Sequence, residues 1–362
     1  MFLHMSLGKT FDASYAGMQG QASQINSERR QMMENLTVSS NPHIRHSDTS
    51  RGIMADVIIA LTPALIGGTV LFGPRVLLVA LVCIASSVGG EYLFCRLLKK
   101  ENPIGDLSAI VTGLLLALNL PVTIPLWMAA IGGIAASVIV KQFFGGIGQN
   151  FANPAITARI ILLVSFPAAM TNWVSPFGWL NGTEAISSAT PLASALSAAP
   201  DPNAAYSLAD LFFGRTPGCI GETSALLLLI GGVYLLIRRV ISPIIPLSYI
   251  LTLGLISGAA AAIKGGDASF FVLFGNGALI SVLSGGVMLG AIFMATDYVT
   301  SPNNNKGRLI FGIGCGILTF IIRCGSLPEG VSYSILLMNI LTPHINRLTA
   351  SKPFGWEAKK NG

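Results

Sequence analysis

A short polar run in the middle of the chain holds the residue types best suited to chemistry. Residues 184–191 read EAISSATP, so Glu184 stands six positions before Thr190, with Ser187, Ser188 and Ala189 between them. The small side chains beside Thr190 leave its hydroxyl accessible to a bulky modifying enzyme. Composition alone favours an ordinary Ser/Ala-rich loop. The run is therefore a candidate modification site, with an unmodified loop as the alternative.

Several charged residues fall within or at the ends of apolar stretches. They are Asp56, Glu91, Asp106, Arg159 and Asp297. An ionised group at the centre of a membrane helix costs on the order of 2.5–3.5 kcal/mol on insertion scales, so it needs a partner or a water-filled cavity. A role in ion coupling, an interfacial position and an arginine–carboxylate pair are all open for these residues. For Asp297 we also consider contact with a cofactor or a transported cation.

The cysteines do not indicate a metal centre. None of the five forms a CxxC pair with another, so neither an iron–sulfur ligand run nor a zinc knuckle is predicted. We expect the thiols to pack as small apolar side chains within helices.

The composition indicates a membrane protein. Hydrophobic residues make up 52% of the chain and charged residues only 10%, against about 25% charged in ordinary soluble domains. The net charge is +6, but the basic residues stand in short clusters between apolar runs, which is typical of topology signals. We therefore predict an all-α polytopic membrane protein and no nucleic-acid partner.

The apolar runs predict about ten spanning segments, and some of them are near the roughly 20 residues that a spanning helix needs. Several are shorter, which favours tilted, broken or re-entrant helices. The segments are Ile53–Phe72, Val76–Phe94, Leu107–Leu120, Leu126–Val140, Ala155–Phe166, Ser224–Ile237, Ile244–Ile263, Phe270–Ala295, Leu309–Ile322 and Gly330–Leu341.

The positions of the basic residues predict the orientation. Clusters follow the even-numbered segments, among them Lys141 after the fourth, whereas the opposite side receives only Arg75, Arg215, Lys264 and Arg323. By the positive-inside rule both termini are cytoplasmic. The predicted organisation is a cytoplasmic N-terminal segment (1–52, of which about the first 25 look like a leader or a cloning remnant), a first membrane repeat (53–166), an extracytoplasmic loop (167–223), a second membrane repeat (224–342) and a cytoplasmic tail (343–362).

The two halves contain similar junctions. FGGIGQNFANPAITAR includes Asn153-Pro154, and MATDYVTSPNNNKGR includes Ser301-Pro302. A polar residue followed by proline is a natural helix start, because proline fits the first turn and its neighbour can cap it. Half-helix starts at corresponding positions are expected of an inverted-repeat membrane fold, with unrelated helices as the alternative.

These motifs together resemble the D-type membrane protein of the Rnf complex. The resemblance rests on GDLSAIVTGLLLALNLP (105–121), FGGIGQNFANPA (144–155), MATDYVTSPNNNKGRLIFG (294–312) and the run ending at Thr190, and it covers most of the chain from about Asn41 to Lys352. The related B-type protein of the sodium-pumping NADH:quinone oxidoreductase shares these features less closely. The resemblance implies two inverted repeats of five helices, similar to the urea and ammonium transporters.

The resemblance also gives the polar run a role. In the family, Asp-x-x-Ser/Thr-Gly/Ser-Ala-Thr receives FMN through a phosphoester to the threonine hydroxyl, attached by a flavin transferase. Thr190 stands at the acceptor position, while Glu184 replaces the usual aspartate and so weakens the match slightly.

The family is further understood to hold a second, noncovalent flavin, riboflavin or FMN, in the membrane core. Asn150 and Asn153 are three residues apart, so on one helical turn their amides would share a face and could bond an isoalloxazine edge. Capping of the helix beside Pro154 is the alternative for both asparagines. Asp297, in the second junction, is the third candidate for this site or for the ion path.

The resemblance implies an electron-carrying subunit of a redox-driven ion translocase. Electrons would pass from reduced ferredoxin to NAD while Na⁺ or H⁺ is exported from the cell. The expected partners are the A, B, C, E and G proteins of the complex. The chain has no GxGxxG after a strand and no Walker A sequence, so we assign it no catalytic residue and no NAD site. A passive channel or solute transporter of the same fold, and a structural scaffold, remain the alternatives.

Overall fold

The computed structural model describes residues 49–100, 103–180, 207–222, 224–264, 270–325 and 330–350, and these contain helices and no extended sheet. The helices are α1 Ser50–Phe72, α2 Arg75–Leu97, α3 Ser108–Leu118, α4 Leu126–Ile134, α5 Pro154–Ser165, α6 Pro167–Met170, α7 Leu208–Phe213, α8 Ala225–Ile237, α9 Ile244–Lys264, α10 Phe270–Leu283, α11 Val287–Leu289, α12 Asn305–Cys324 and α13 Gly330–Leu348. Wider π-helical turns continue α4 through Ala135–Gln142 and α11 through Gly290–Met294, and the 3₁₀ turn Pro103–Asp106 precedes α3.

Each of the ten predicted segments overlaps a helix. Of the described helices, α1, α2, α9 and α12 are long and apolar enough to cross a membrane, and the bent pair α10–α11 is a fifth if it counts as one span. The helices α3, α5, α8 and α4 with its π turn are apolar but shorter. The described part of the chain is therefore that of an all-helical polytopic membrane protein, as the composition predicts.

Helices α1 and α8 pack against each other in opposite directions. Asp56 near the start of α1 meets Arg238 at the end of α8, while Gly67 near the end of α1 meets Leu227 near the start of α8. Between these contacts, a Cβ on Gly231 would stand 2.1 Å from the carbonyl oxygen of Ala60. Only glycine permits this approach, which is typical of small-residue contacts between membrane helices.

The predicted span Phe270–Ala295 consists of two helical parts separated by a break. The two parts, α10 and α11 with its π turn, are bent by 66°. Gly285 and Gly286 join them in the left-handed region, at φ 68° and 70°, which glycine adopts without strain. The guanidinium of buried Arg323 on α12 donates to the carbonyl oxygens of Ser281, Ser284 and Gly285 at 2.7–3.2 Å. The Arg323 side chain thus supplies donors for carbonyls at the end of α10, where the helix itself provides no N–H partner.

The helix start predicted at Ser301-Pro302 is wrong. Helix α12 begins three residues after Pro302, at Asn305, and the carbonyl of Pro302 accepts a hydrogen bond from the Arg308 side chain at 3.1 Å. The first junction follows the π turn after α4, and the second follows the π turn after α11. Asn153-Pro154, in contrast, does start a helix, α5.

Candidate functional site

A cavity of about 120 Å³ lies at the end of the bundle where α1 begins. Ile53, Met54 and Val57 from the first turns of α1 form part of its apolar wall, facing the start of α3 and the end of α8. The space is enough for several water molecules. Its polar lining comes from Ser108, Thr112, Lys141, Asn150, Asn153, Thr296 and Asp297. The two junctions that resemble each other in sequence therefore meet here, and all three candidate residues for the second site line one cavity.

Asn153 performs the capping role proposed as its alternative. Its side-chain oxygen accepts hydrogen bonds from the N–H groups of Ala155 and Ile156, at 3.0 and 3.3 Å. Its amide nitrogen donates to the carbonyl of Met294 at 3.2 Å. This single buried side chain caps α5 and ties it to the end of the π turn after α11, so the side chain positions the cavity wall.

Asn150 does not share a helical turn with Asn153, contrary to the spacing argument. It lies in the connection before α5, and its amide donates to the carbonyl of Ala152 at 3.0 Å. The same side chain hydrogen-bonds Asp297, across the two junctions. Asn150 and Asp297 therefore form a pair on the cavity wall, although neither belongs to a helix.

Asp297 is half-buried and held in place by its own loop. Thr300 donates its hydroxyl to the carboxylate at 3.2 Å, and the Val299 N–H donates at 3.5 Å. Desolvation raises the pKa of this carboxyl above its ordinary value, and the hydrogen bonds from Val299, Thr300 and Asn150 oppose the rise. An acidic group with these partners can bind a cation or accept a hydrogen bond from a ligand.

A buried ion pair lies at the cavity wall, where the π turn that precedes the first junction packs on α2. Lys141, 2% exposed, contacts both carboxylate oxygens of fully buried Glu91, at 2.8 and 3.1 Å. The Lys141 ammonium also donates to the Ser108 hydroxyl at 2.6 Å, and Gln142 donates to Glu91 at 2.5 Å. Asp106 in turn accepts from the N–H of Ser108 at 2.8 Å. Lys141 and Ser108 line the cavity, whereas Glu91 lies behind them.

The π turn makes this arrangement possible. In an α-helix, consecutive side chains are about 100° apart, but the wider π turn, with its i→i+5 hydrogen bonds, reduces that rotation. Lys141 and Gln142 can therefore both reach Glu91 on α2. Sequence reasoning missed this pair, because it counted Lys141 as a cytoplasmic loop charge. The available signal was a lysine and a glutamate that each stand in a run otherwise too apolar for an unpaired charge.

A second buried polar cluster lies deeper in the bundle. Arg159 on α5 donates to the side-chain oxygen of Asn119 at 2.7 Å and to the sulfur of Cys219 at 3.2 Å. Its guanidinium also lies 3.7 Å from the Glu222 carboxylate. Of the alternatives considered for Arg159, the structure shows the arginine–carboxylate pair.

The remaining charged candidate, Asp56, also has partners. Asp56 accepts from Arg238 at 3.1 Å and from the Tyr234 hydroxyl at 2.8 Å, and so links α1 to α8 beside the cavity. None of the described cysteines forms a disulfide bond, and all of their thiols except that of Cys324 are buried. Within the described residues, no group of three or more His, Cys, Asp or Glu side chains is arranged to hold a metal ion.

The run from Glu184 to Thr190, with Ser187, Ser188 and Ala189, lies outside the described residues. Its described flanks are at the end of the bundle opposite the cavity. Before the run, the N–H of Phe177 donates to the Leu71 carbonyl at 2.7 Å, and Trp179 donates to the Val70 carbonyl at 3.3 Å. Val70 is thirteen residues along α1 from Val57 on the cavity wall, about 20 Å at 1.5 Å per residue.

Comparison with known proteins gives consistent relatives over nearly the whole chain. The chain is 47% identical over 324 residues to the D-type subunit of the Na⁺-translocating ferredoxin:NAD⁺ oxidoreductase complex of Acetobacterium woodii, covering 89% of this chain and 96% of the relative. It is 40% identical over 335 residues to the D-type subunit of the proton-translocating ferredoxin:NAD⁺ oxidoreductase complex of Clostridium ljungdahlii, covering 90% and 98%. It is also 40% identical over 338 residues to the D-type subunit of the ion-translocating oxidoreductase complex of Stutzerimonas stutzeri, covering 85% and 92%.

A sequence model of one protein family spans both junctions and the loop between the membrane halves. That model, described as the NQR2, RnfD, RnfE family, matches residues 37–355. With this match and relatives of 40–47% identity over most of their length, the chain belongs to the NQR2, RnfD, RnfE family.

Proposed function

We propose that this chain is the D-type membrane subunit of an ion-translocating ferredoxin:NAD⁺ oxidoreductase complex. In this role it carries a covalent FMN on Thr190 and a second, noncovalent flavin, riboflavin or FMN, in the cavity beside α1. Similarity over nearly the whole chain to two proteins named as D subunits of such complexes carries the proposal. The A-, B-, C-, E- and G-type proteins of such a complex and a flavin transferase are the expected partners.

The chemistry of the cavity lining fits a flavin ring. Ligand sites for such molecules are mostly apolar with a few placed polar groups, and this wall combines α1 and α8 side chains with amides, hydroxyls, one ammonium and one carboxylate. A flavin bound there would supply electron transfer in one-electron steps. Asn150, Ser108 and Thr112 are the residues that would fix the orientation of its polar edge, and the apolar helices would exclude water from it.

Asn153 acts on this site by positioning it. Its amide groups already serve the start of α5 and the carbonyl of Met294. We therefore propose that Asn153 holds the cavity wall in place and does not contact the flavin directly. Asn150 is then the main candidate for a hydrogen bond to the flavin.

The opposite positions of the cavity and the loop flanks support transfer across the membrane. The separation of about 20 Å along α1 is a large part of the roughly 30 Å hydrocarbon core of a bilayer. With cytoplasmic termini, the cavity faces the cytoplasmic side of a bacterial or archaeal inner membrane, and the loop that contains Thr190 faces outward.

The packing is also compatible with ten spans in two inverted five-helix repeats of the urea-transporter type. In the first half α2 packs on α3 and α4, and in the second half α9 packs on α10 and α12. The antiparallel contact of α1 with α8 would then join the first helices of the two repeats. These features support the layout, and it remains part of our proposal.

The transported ion is left as Na⁺ or H⁺. The relative from Acetobacterium woodii is named as Na⁺-translocating and the one from Clostridium ljungdahlii as proton-translocating. A carboxylate such as Asp297 with hydroxyl and amide neighbours serves either ion. Transport by sealed vesicles with and without Na⁺ distinguishes them.

The experiment for this function compares complexes that contain the wild-type chain, Thr190→Val or Ser197→Ala, the last being a hydroxyl of the same loop outside the run. We expect Thr190→Val to lower NAD⁺ reduction by reduced ferredoxin to the background of membranes without the chain, while Ser197→Ala keeps wild-type activity. Full activity of Thr190→Val would exclude the proposed electron path and would favour a passive channel or a scaffold.

The second flavin has its own test. Asn150→Ala should lose the flavin that acid extracts from the folded protein, while keeping the covalent flavin of the denatured chain. Asn172→Ala, in the connection that follows α6, should keep both. Unchanged extractable flavin in Asn150→Ala would remove Asn150 from the site.

A further inference from the structure

We propose that the Lys141–Glu91 pair is an electrostatic device of the cavity: Lys141 presents a fixed positive charge to the noncovalent flavin and so favours its reduced form. This inference rests on the proposed second flavin. It adds a residue that neither the sequence motifs nor the relatives indicate.

The first step is the asymmetry of the pair. Lys141 and Ser108 line the cavity, whereas Glu91 is 0% exposed behind them. The pair is neutral as a whole, but the positively charged residue lines the cavity and the negatively charged one does not. The ammonium group is held on Glu91 by two short contacts and on Ser108 by a third, so it cannot turn away.

The second step concerns the charges in the cavity. Among the described residues that line it, Lys141 and Asp297 are the charged ones, of opposite sign. Reduction adds negative charge to a flavin unless protons follow, and charges near the ring are the means by which a protein tunes its potential. The lysine should therefore raise the potential, and the aspartate should lower it.

The third step is that structural need alone does not account for the pair. Hydrophobic residues of similar volume often replace a buried ion pair without loss of stability. Here Lys141 lies in a π turn, a feature found frequently at functional sites. Its ammonium donates to the Ser108 hydroxyl on the cavity wall, and Gln142 of the same turn holds the Glu91 carboxylate.

The test uses the full chain, expressed without the flavin transferase so that only noncovalent flavin is present. Extractable flavin per chain and the midpoint potential of that flavin are measured, the latter by redox titration of its absorbance. The variants are Lys141→Met, the double variant Glu91→Gln/Lys141→Met, Lys141→Arg and Asp297→Asn. The double variant leaves no unpaired charge of this pair, so it serves if Lys141→Met alone does not fold.

We expect flavin to be retained with a lower midpoint potential in Lys141→Met and in the double variant. Lys141→Arg keeps the positive charge and should have the wild-type midpoint potential. Asp297→Asn removes the negative charge and should raise the midpoint potential. A double variant with bound flavin at the wild-type potential would overturn the inference and leave the second flavin in place. A wild-type chain without extractable flavin would overturn both.

Discussion

At the scale of single residues, the site is built from side chains that already have partners. Asn153 caps α5, Asn150 bonds Asp297, and Lys141 is fixed on Glu91. The sequence singled out Asn150, Asn153 and Asp297 as candidates, and all three line the cavity. It could not predict their separate roles, because a capping amide and a ligand-binding amide are the same side chain at the same spacing. The difference depends on which donors surround it.

Asn153 should therefore matter for stability rather than for redox chemistry. Asn153→Ala removes a helix cap, at about 1 kcal/mol, and leaves the buried Met294 carbonyl without its donor, at about 1–3 kcal/mol. We expect the free energy of unfolding in detergent to fall by about 2 kcal/mol or more, measured by denaturant titration of the helical circular dichroism signal. Asn153→Ser keeps an oxygen for the cap and should lose less. Equal stability of Asn153→Ala and wild type would contradict the assignment.

At the scale of helices, the apolar runs predicted where the elements lie, but not where they break. Phe270–Ala295 is apolar throughout except for its small residues and Asn276, so hydropathy gives one span. The break at Gly285 and Gly286 depends on Arg323, which comes from a helix later in the chain. The positive-inside count assigned both Arg323 and Lys141 to loops, yet each is buried. A count of charges cannot separate a loop cation from one that satisfies buried acceptors.

The broken helix gives a prediction at this scale. Arg323→Ala removes hydrogen bonds from a charged donor, each contributing about 1.5–3 kcal/mol, and leaves the carbonyls at the end of α10 without them. We expect a fall of about 3 kcal/mol or more in the free energy of unfolding, read as a lower thermal transition of the purified protein. Arg96→Ala, at an exposed arginine near the end of α2, should stay within about 0.5 kcal/mol of wild type. Similar transitions for the two variants would exclude the capping role of Arg323.

At the scale of the whole molecule, the bundle separates two functional regions. The cavity lies where α1 begins, and the chain on both sides of the Thr190 run is anchored near the other end of α1 and of α3. Membrane class and helix positions followed from composition and hydropathy, because a bilayer constrains them strongly. The cavity could not be predicted from composition and hydropathy, because it is formed by separated segments that meet only after folding.

Orientation is tested by accessibility from outside intact cells. In a Cys324→Ser background, which leaves the buried thiols, we expect Ser197→Cys in the loop to react with a membrane-impermeant maleimide. Lys359→Cys in the C-terminal tail should react only after the membrane is opened. The reverse pattern would invert the topology and place the loop flanks on the cytoplasmic side.

The most direct test of the proposed function is the covalent flavin itself. The chain is produced together with a flavin transferase, separated on a denaturing gel and inspected for flavin fluorescence in its own band. Our proposal predicts a fluorescent band for the wild type and for Ser197→Ala, and none for Thr190→Val. A dark wild-type band, or a Thr190→Val band as bright as the wild type, would contradict it.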